Sequence, residues 1–262
     1  MKQLFITGLL IAGLSANAQD WAKAKLDKSS RHQEWVKVEN GKRKVDSFVV
    51  YPEVKDKATA VIVIHEIFGL SDWARAVTDE FAEAGYIAIA PDLLSGMAPN
   101  GGGTKELGSD VGKTISALPP DQITADLDAV VTYVSKLPAC NGKVVVAGFC
   151  WGGGQTFRYA TKNKDIKASL SFYGAMPTDE AAVKRIECPI YGFYGENDNR
   201  INSMIPKAEE LMKKVEKTYE PVIYNGAGHG FMRAGEQPDA SPANKKARDD
   251  AWVRIKDILK KI

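Results

Sequence analysis

The sequence predicts an α/β protein: a mainly parallel central sheet with helices on both faces. Short apolar runs of strand length alternate with amphipathic runs of helix length through the middle of the chain. At 262 residues and 44% hydrophobic content there is material for one large core, so a single domain over residues 19–262 is expected. One apolar strand also runs directly into Gly148-Phe149-Cys150-Trp151-Gly152-Gly153 and then into helix-forming residues, a strand–turn–helix layout typical of α/β sheets.

Taken in order, residues 34–38 and 44–51 flank Asn40-Gly41 and are expected to form an antiparallel lead-in hairpin. Residues 60–64 are continuously apolar, as a doubly covered strand requires. Ser71 is a helix N-cap and Gly85 a terminator, so a helix lies between them. Residues 86–90 form the next strand, stopped by Pro91. Residues 95–108 are rich in Gly and Pro and read as a loop. Gly101-Gly102-Gly103-Thr104 lacks the Gly-Lys-Ser/Thr of a phosphate loop, and no cofactor is expected. A helix over 121–135, the strand 143–149, and strands at 168–173, 190–194 and 221–224 follow. Helices near 205–215 and 243–260 complete the pattern.

The first eighteen residues read as an export signal. Lys2 gives a positive start, residues 4–14 are apolar, and Ala16-Asn17-Ala18 fits the small-x-small rule, with cleavage expected after Ala18. The apolar run is too short to span a bilayer, so no membrane attachment is expected after cleavage, and a periplasmic or secreted location follows. The formal charge of +2 includes no basic or acidic block, which argues against nucleic acid as a partner. Three cysteines cannot all pair; a bridge between Cys140 and Cys188 stays open, leaving Cys150 as a free thiol.

A side chain raised on a tight strand-to-helix turn between glycines is placed as a nucleophile, and here it is Cys150. The following helix N-terminus puts positive partial charge beside it, favouring the thiolate. C-terminal to it, Tyr194-Gly195-Glu196-Asn197-Asp198 and then Gly228-His229-Gly230 each follow a strand, giving the order Cys, Asp, His. His229 would pair with the thiolate or take its proton, and Asp198 would orient the ring; the strand end favours Asp198 over Glu196. The loop His65-Glu66-Ile67-Phe68-Gly69 follows the first long strand and would supply one oxyanion donor, so the backbone amides of Ile67 and Trp151 are the expected pair. No His-Glu-x-x-His or second ligand cluster accompanies His65 and Glu66, so no metal is expected and His65 reads as structural.

Six blocks in order resemble the dienelactone hydrolase (carboxymethylenebutenolidase) family of the α/β-hydrolase superfamily. They are His65 to Gly69, Ala90-Pro91-Asp92-Leu93, Gly148 to Gly153, Phe172-Tyr173-Gly174, Tyr194 to Asp198, and Gly228-His229-Gly230-Phe231-Met232-Arg233. The resemblance implies an α/β-hydrolase fold without a large cap and a Cys150–His229–Asp198 triad. It implies that Glu66 accepts the thiol proton when substrate arrives, that Arg233 binds a substrate carboxylate, and that Phe68 and Tyr173 contact substrate. One departure concerns the second arginine that the family carries after Pro-Asp-Leu: this chain reads Leu94-Ser95-Gly96-Met97 there.

The thiol narrows the substrate by itself. A thiolate leaves a tetrahedral intermediate more readily than an alkoxide, so plain alkyl esters revert to starting material. An enol-lactone or aryl ester expels a stabilised anion and goes forward. The expected activity is therefore hydrolysis of an activated ester or lactone through a thioester. A broad exported esterase or thiol hydrolase, and a binding protein on the same fold, are the alternatives.

Overall fold

In the computed structural model the described residues are 19–262; the segment 1–18, read above as an export signal, lies outside the described residues. The strands are β1 (Gln33–Asn40), β2 (Arg43–Val50), β3 (Ala58–Ile64), β4 (Ile87–Pro91), β5 (Cys140–Phe149), β6 (Ala168–Phe172), β7 (Ile190–Gly195) and β8 (Tyr219–Tyr224). They form one sheet in the order β1-β2-β4-β3-β5-β6-β7-β8. β1 and β2 are the expected antiparallel hairpin, β2 is antiparallel to β4, and every later neighbour pair is parallel. This is the α/β-hydrolase arrangement.

The helices are α1 (Asp20–Lys28), α2 (Asp72–Glu83), α3 (Thr104–Leu107), α4 (Val111–Ser116), α5 (Pro120–Ser135), α6 (Trp151–Ala160), α7 (Glu180–Val183), α8 (Asn199–Asn202), α9 (Ile205–Lys214), α10 (Phe231–Ala234) and α11 (Pro242–Leu259). Two cores result, one on each side of the sheet. Val130, Phe157 and Ala208 bring α5, α6 and α9 to one; Leu26, Val77 and Ile255 bring α1, α2 and α11 to the other. β3 is buried along its whole length because both faces are covered, hence its unbroken apolar run. Only α3, α4, α5 and a single helical turn lie between β4 and β5, so no large cap interrupts the sheet there.

One expectation needs correction, and one helix was not expected. The stretch 95–108 is not all loop: α3 starts at Thr104, whose N–H and hydroxyl donate to the Asp92 carboxylate at 2.7 and 2.8 Å. A carboxylate at a helix N-terminus outweighs the glycines that precede it. The amino-terminal helix α1 carries too short an apolar stripe, Ala22 and Leu26, to stand out by periodicity. It is held by tertiary ion pairs from Lys25 to Glu80 and Glu236.

The parallel strands β3, β5, β6, β7 and β8 end on the same side, and the loops after them carry Glu66, Cys150, Tyr173, Asp198 and His229. Crevices outside strand carboxyl ends are where open α/β sheets bind ligands.

Candidate active site

β5 turns into α6 through Cys150, whose backbone sits at φ 54° and ψ −114°. A non-glycine residue there is strained by about 1–3 kcal/mol. The glycines around it exist because the strand and helix backbones touch. A β-carbon at Gly148 would overlap the Gly152 carbonyl and the Thr156 hydroxyl, and one at Gly152 would overlap the carbonyls of Ile64 and His65. The Cys150 amide donates to the Phe172 carbonyl at 3.0 Å, tying the turn to β6.

His229 Nε2 lies 3.2 Å from Cys150 Sγ, and Nδ1 lies 2.5 Å from Asp198 Oδ2. Asp198 is buried at the end of β7, and its other oxygen accepts from the Ile201 amide at 3.4 Å. Glu196, the competing carboxylate, does not reach His229; it accepts from the Gly226 amide at 2.7 Å and closes the loop leading to His229. Asn197 N–H donates to the Ala227 carbonyl, and Gly228 N–H to Asn244, so the imidazole stands on a loop fixed from both sides. The bond to the Cys150 sulfur raises the His229 pKa from 6.5 to about 9, burial opposing it and Asp198 assisting.

Glu66 is almost fully buried, and its Oε2 accepts from Arg233 Nε at 2.8 Å. Burial pushes the Glu66 carboxyl up, and the Arg233 charge works against that rise. Arg233 in turn lies 5.1 Å from the Phe68 ring centroid. Glu66 thus bonds Arg233, while the sulfur bonds His229. Tyr173 is fully buried with φ 41°, its ring edge-on to His229 at 5.0 Å, and its hydroxyl has no partner among the described residues. Burial first, and then the Glu66 charge, hold that phenol far above its ordinary range.

The Ile67 amide donates to no other described residue, and Trp151 is the first residue of α6, where the helix itself leaves the N–H unused. The loop carrying Ile67 is set by the Glu66 carbonyl, which accepts from Gly69 N–H at 3.1 Å and contacts His65 Nδ1 at 2.9 Å. His65 is buried and stacked on Trp151, 5.5 Å between centroids and 13° between planes. Burial lowers its pKa, keeping the ring neutral, in keeping with a structural residue. Among the described residues no group of three or more His, Cys, Asp or Glu side chains is placed to hold a metal ion.

Cys150 opens into a cavity of about 490 Å³ that Trp151, Tyr173, Met176, Arg158 and Arg200 also line. Sequence reasoning passed over Arg158 and Arg200; neither stands in a recognisable motif, and only the fold brings them to this cavity. Phe68 and Arg233 lie instead at the edge of a larger cleft of about 1040 Å³. The segment that lacks the second family arginine is approached by Arg43 of β2. That guanidinium is engaged by the carbonyls of Ser95 and Leu93 and by Asp126. Cys140, Cys150 and Cys188 are all free thiols.

Residues 45–262 match the sequence profile of the Dienelactone hydrolase family. A Saccharolobus solfataricus protein named "Putative carboxymethylenebutenolidase" is 30% identical over 254 residues, covering 84% of this chain and 95% of that one. A Methylorubrum extorquens protein of the same name is 31% identical over 210 residues, covering 75% and 70%. The crystal structure of a "Putative Dienelactone Hydrolase" from Klebsiella pneumoniae superposes with a TM-score of 0.77 at 24% identity, over 89% of this chain and all of that one. With its sheet order, its glycine-flanked turn and these relatives, the chain belongs to the dienelactone hydrolase family.

Proposed function

We propose that this member of a hydrolase family cleaves activated carboxylic esters or enol-lactones through a thioester on Cys150. The observation that carries the reading is the continuous row Cys150 Sγ–His229–Asp198, with contacts of 3.2 and 2.5 Å, at the mouth of a cavity. His229 takes the thiol proton and becomes the imidazolium that Asp198 stabilises. The thiolate attacks the carbonyl carbon, and the amides of Ile67 and Trp151 receive the oxyanion. Collapse breaks the bond to the enolate or aryloxide, which takes the His229 proton; a water deprotonated by His229 then opens the thioester and restores the thiol.

Glu66 and Arg233 respond to the substrate in this scheme. An anionic substrate group that takes Arg233 removes the cation that now lowers the Glu66 proton affinity. The freed, buried carboxylate becomes a stronger base beside the row and serves as a second acceptor for the thiol proton. Tyr173 walls the cavity at Cys150, and Phe68 lines the neighbouring cleft.

Purified protein and its Cys150→Ala variant, assayed on a dienelactone, p-nitrophenyl acetate and an alkyl lactone, test this reading. We expect Cys150-dependent turnover of the dienelactone or the aryl ester and none of the alkyl lactone. Turnover of the aryl ester alone keeps the mechanism and favours a broader esterase. Turnover that survives Cys150→Ala contradicts the thioester on Cys150, and no turnover by the wild type contradicts the reading and favours a binding protein.

We further propose that residues 1–18 are removed and that the protein acts in the periplasm or outside the cell. The support is the positive start, the apolar run and Ala16-Asn17-Ala18. Amino-terminal sequencing of protein recovered from the cell envelope fraction or medium should begin at Gln19; an intact Met1 in a cytoplasmic fraction contradicts it.

A further inference from the structure

The cleft that begins at Phe68 and Arg233 is about 1040 Å³, against about 490 Å³ for the cavity at Cys150. It runs away from the reacting atoms, past Thr104 and Arg75, to Trp35 on β1, and the scheme above leaves that far end unused. Its volume is at the upper end of cavities that enclose drug-sized ligands.

Trp35 is 55% exposed, yet it is held in place. It stands directly opposite Phe48 across the β1–β2 pair, with ring centroids 5.5 Å apart. The Arg75 guanidinium of α2 lies 5.8 Å from the Trp35 ring and 5.6 Å from Phe48, and Arg75 is itself anchored by Asp72. The near end of the cleft repeats the pairing: Arg233, anchored by Glu66, lies over Phe68, which is 39% exposed. Two exposed aromatic rings, each supported by a carboxylate-anchored arginine, therefore line one concavity. Supported rings with open surface suit the stacking of another flat ring. The polar pair Lys37–Asp46 and the Thr104 and Glu106 side chains among the lining residues match a purely aliphatic chain less well.

The cleft shares no lining residue with the cavity at Cys150, but two of its own residues adjoin the proposed reaction centre. Phe68 follows Ile67, the proposed oxyanion donor, and Arg233 is bonded to Glu66. We propose that this cleft is a second substrate subsite that receives the distal aromatic ring of an extended ester whose carbonyl lies at Cys150, with Trp35 and Arg75 as its specificity-determining residues. The inference rests on the ester-hydrolase reading and deepens it: the substrate class is a large aryl-bearing ester.

The test compares p-nitrophenyl acetate with naphthyl acetate and p-nitrophenyl phenylhexanoate on the wild type, Trp35→Ala, Trp35→Phe and Arg75→Gln. For at least one large ester, Trp35→Ala should raise KM about tenfold with kcat little changed, while p-nitrophenyl acetate stays within about twofold. Trp35→Phe should recover most of the loss, and Arg75→Gln should fall between. If the small ester is hydrolysed through Cys150 but Trp35→Ala moves all esters alike or none, the subsite is overturned and the ester-hydrolase reading stands.

A binding measurement decides the subsite independently of turnover. Naphthyl acetate should quench the tryptophan fluorescence of Cys150→Ala saturably, and addition of Trp35→Ala should abolish that quenching. Absence of saturable quenching overturns the subsite. So does a wild-type dimer that Trp35→Ala dissociates, because the cleft would then be covered by a second copy.

Discussion

At Cys150 a strained backbone and a proton-sharing side chain meet. The φ of 54° is held by surrounding contacts, and it is tolerable only while Gly148 and Gly152 let two backbones touch. Gly148→Ala is expected to cost about 2–4 kcal/mol, because its β-carbon meets a carbonyl that cannot swing aside. Urea unfolding of the variant measures it; a loss below about 0.5 kcal/mol contradicts the packing account. His229 offers a second reading at this scale. Its pKa of about 9 comes first from the sulfur, so an NMR titration should place the ring near 9 in the wild type and clearly lower in Cys150→Ala, towards 6.5. The sign for stability follows: this pairing stabilises the fold fully below about pH 6.5, and the contribution disappears as pH rises through about 9. Asp198→Asn, which keeps the shape but loses the charge that fixes the tautomer, should lower kcat by about 10³–10⁴.

Elements differ in how plainly their sequences declare them. β3 and β5 do so because double-sided burial requires unbroken apolar runs, and α2 does so because Ser71 accepts from the Ala74 amide at 3.3 Å as an N-cap should. α1 does not, since its place is fixed by partners far along the chain: Lys25 reaches Glu80 and Glu236, Arg248 joins the same two carboxylates, and Trp73 Nε1 donates to Glu236 at 3.1 Å. Glu236→Ala should cost about 3 kcal/mol, because two cations and an indole lose a buried partner together. Asp27→Ala, which removes an exposed i,i+4 pair on the same helix, should change stability by less than about 0.5 kcal/mol. Equal losses in the two variants, measured by thermal or urea unfolding, would contradict the clamp. α3 was hidden for a related reason, the Asp92 carboxylate that starts it lying twelve residues earlier in the chain.

Across the whole molecule, the legible part of the site is the part written as motifs at strand ends. Cys150, Asp198, His229 and Glu66 each follow a recognisable strand, and the parallel sheet brings those ends together. Which carboxylate reaches His229 was readable from its place relative to β7, whereas the bond between Glu66 and Arg233 joins two loops whose facing no local pattern reveals. The far cleft was not legible at all. Trp35, Arg75 and Phe68 come from a strand, a helix and a loop, and only the sheet order places them around one space.

The measurement that bears most directly on the central proposal is mass spectrometry of the protein quenched during turnover of p-nitrophenyl acetate. We expect the mass of one acetyl group on the peptide containing Cys150, labile to hydroxylamine as a thioester is, and no such adduct in Cys150→Ala. Turnover at an undiminished rate in Cys150→Ala, or wild-type turnover with the acetyl group on a different residue, would contradict it.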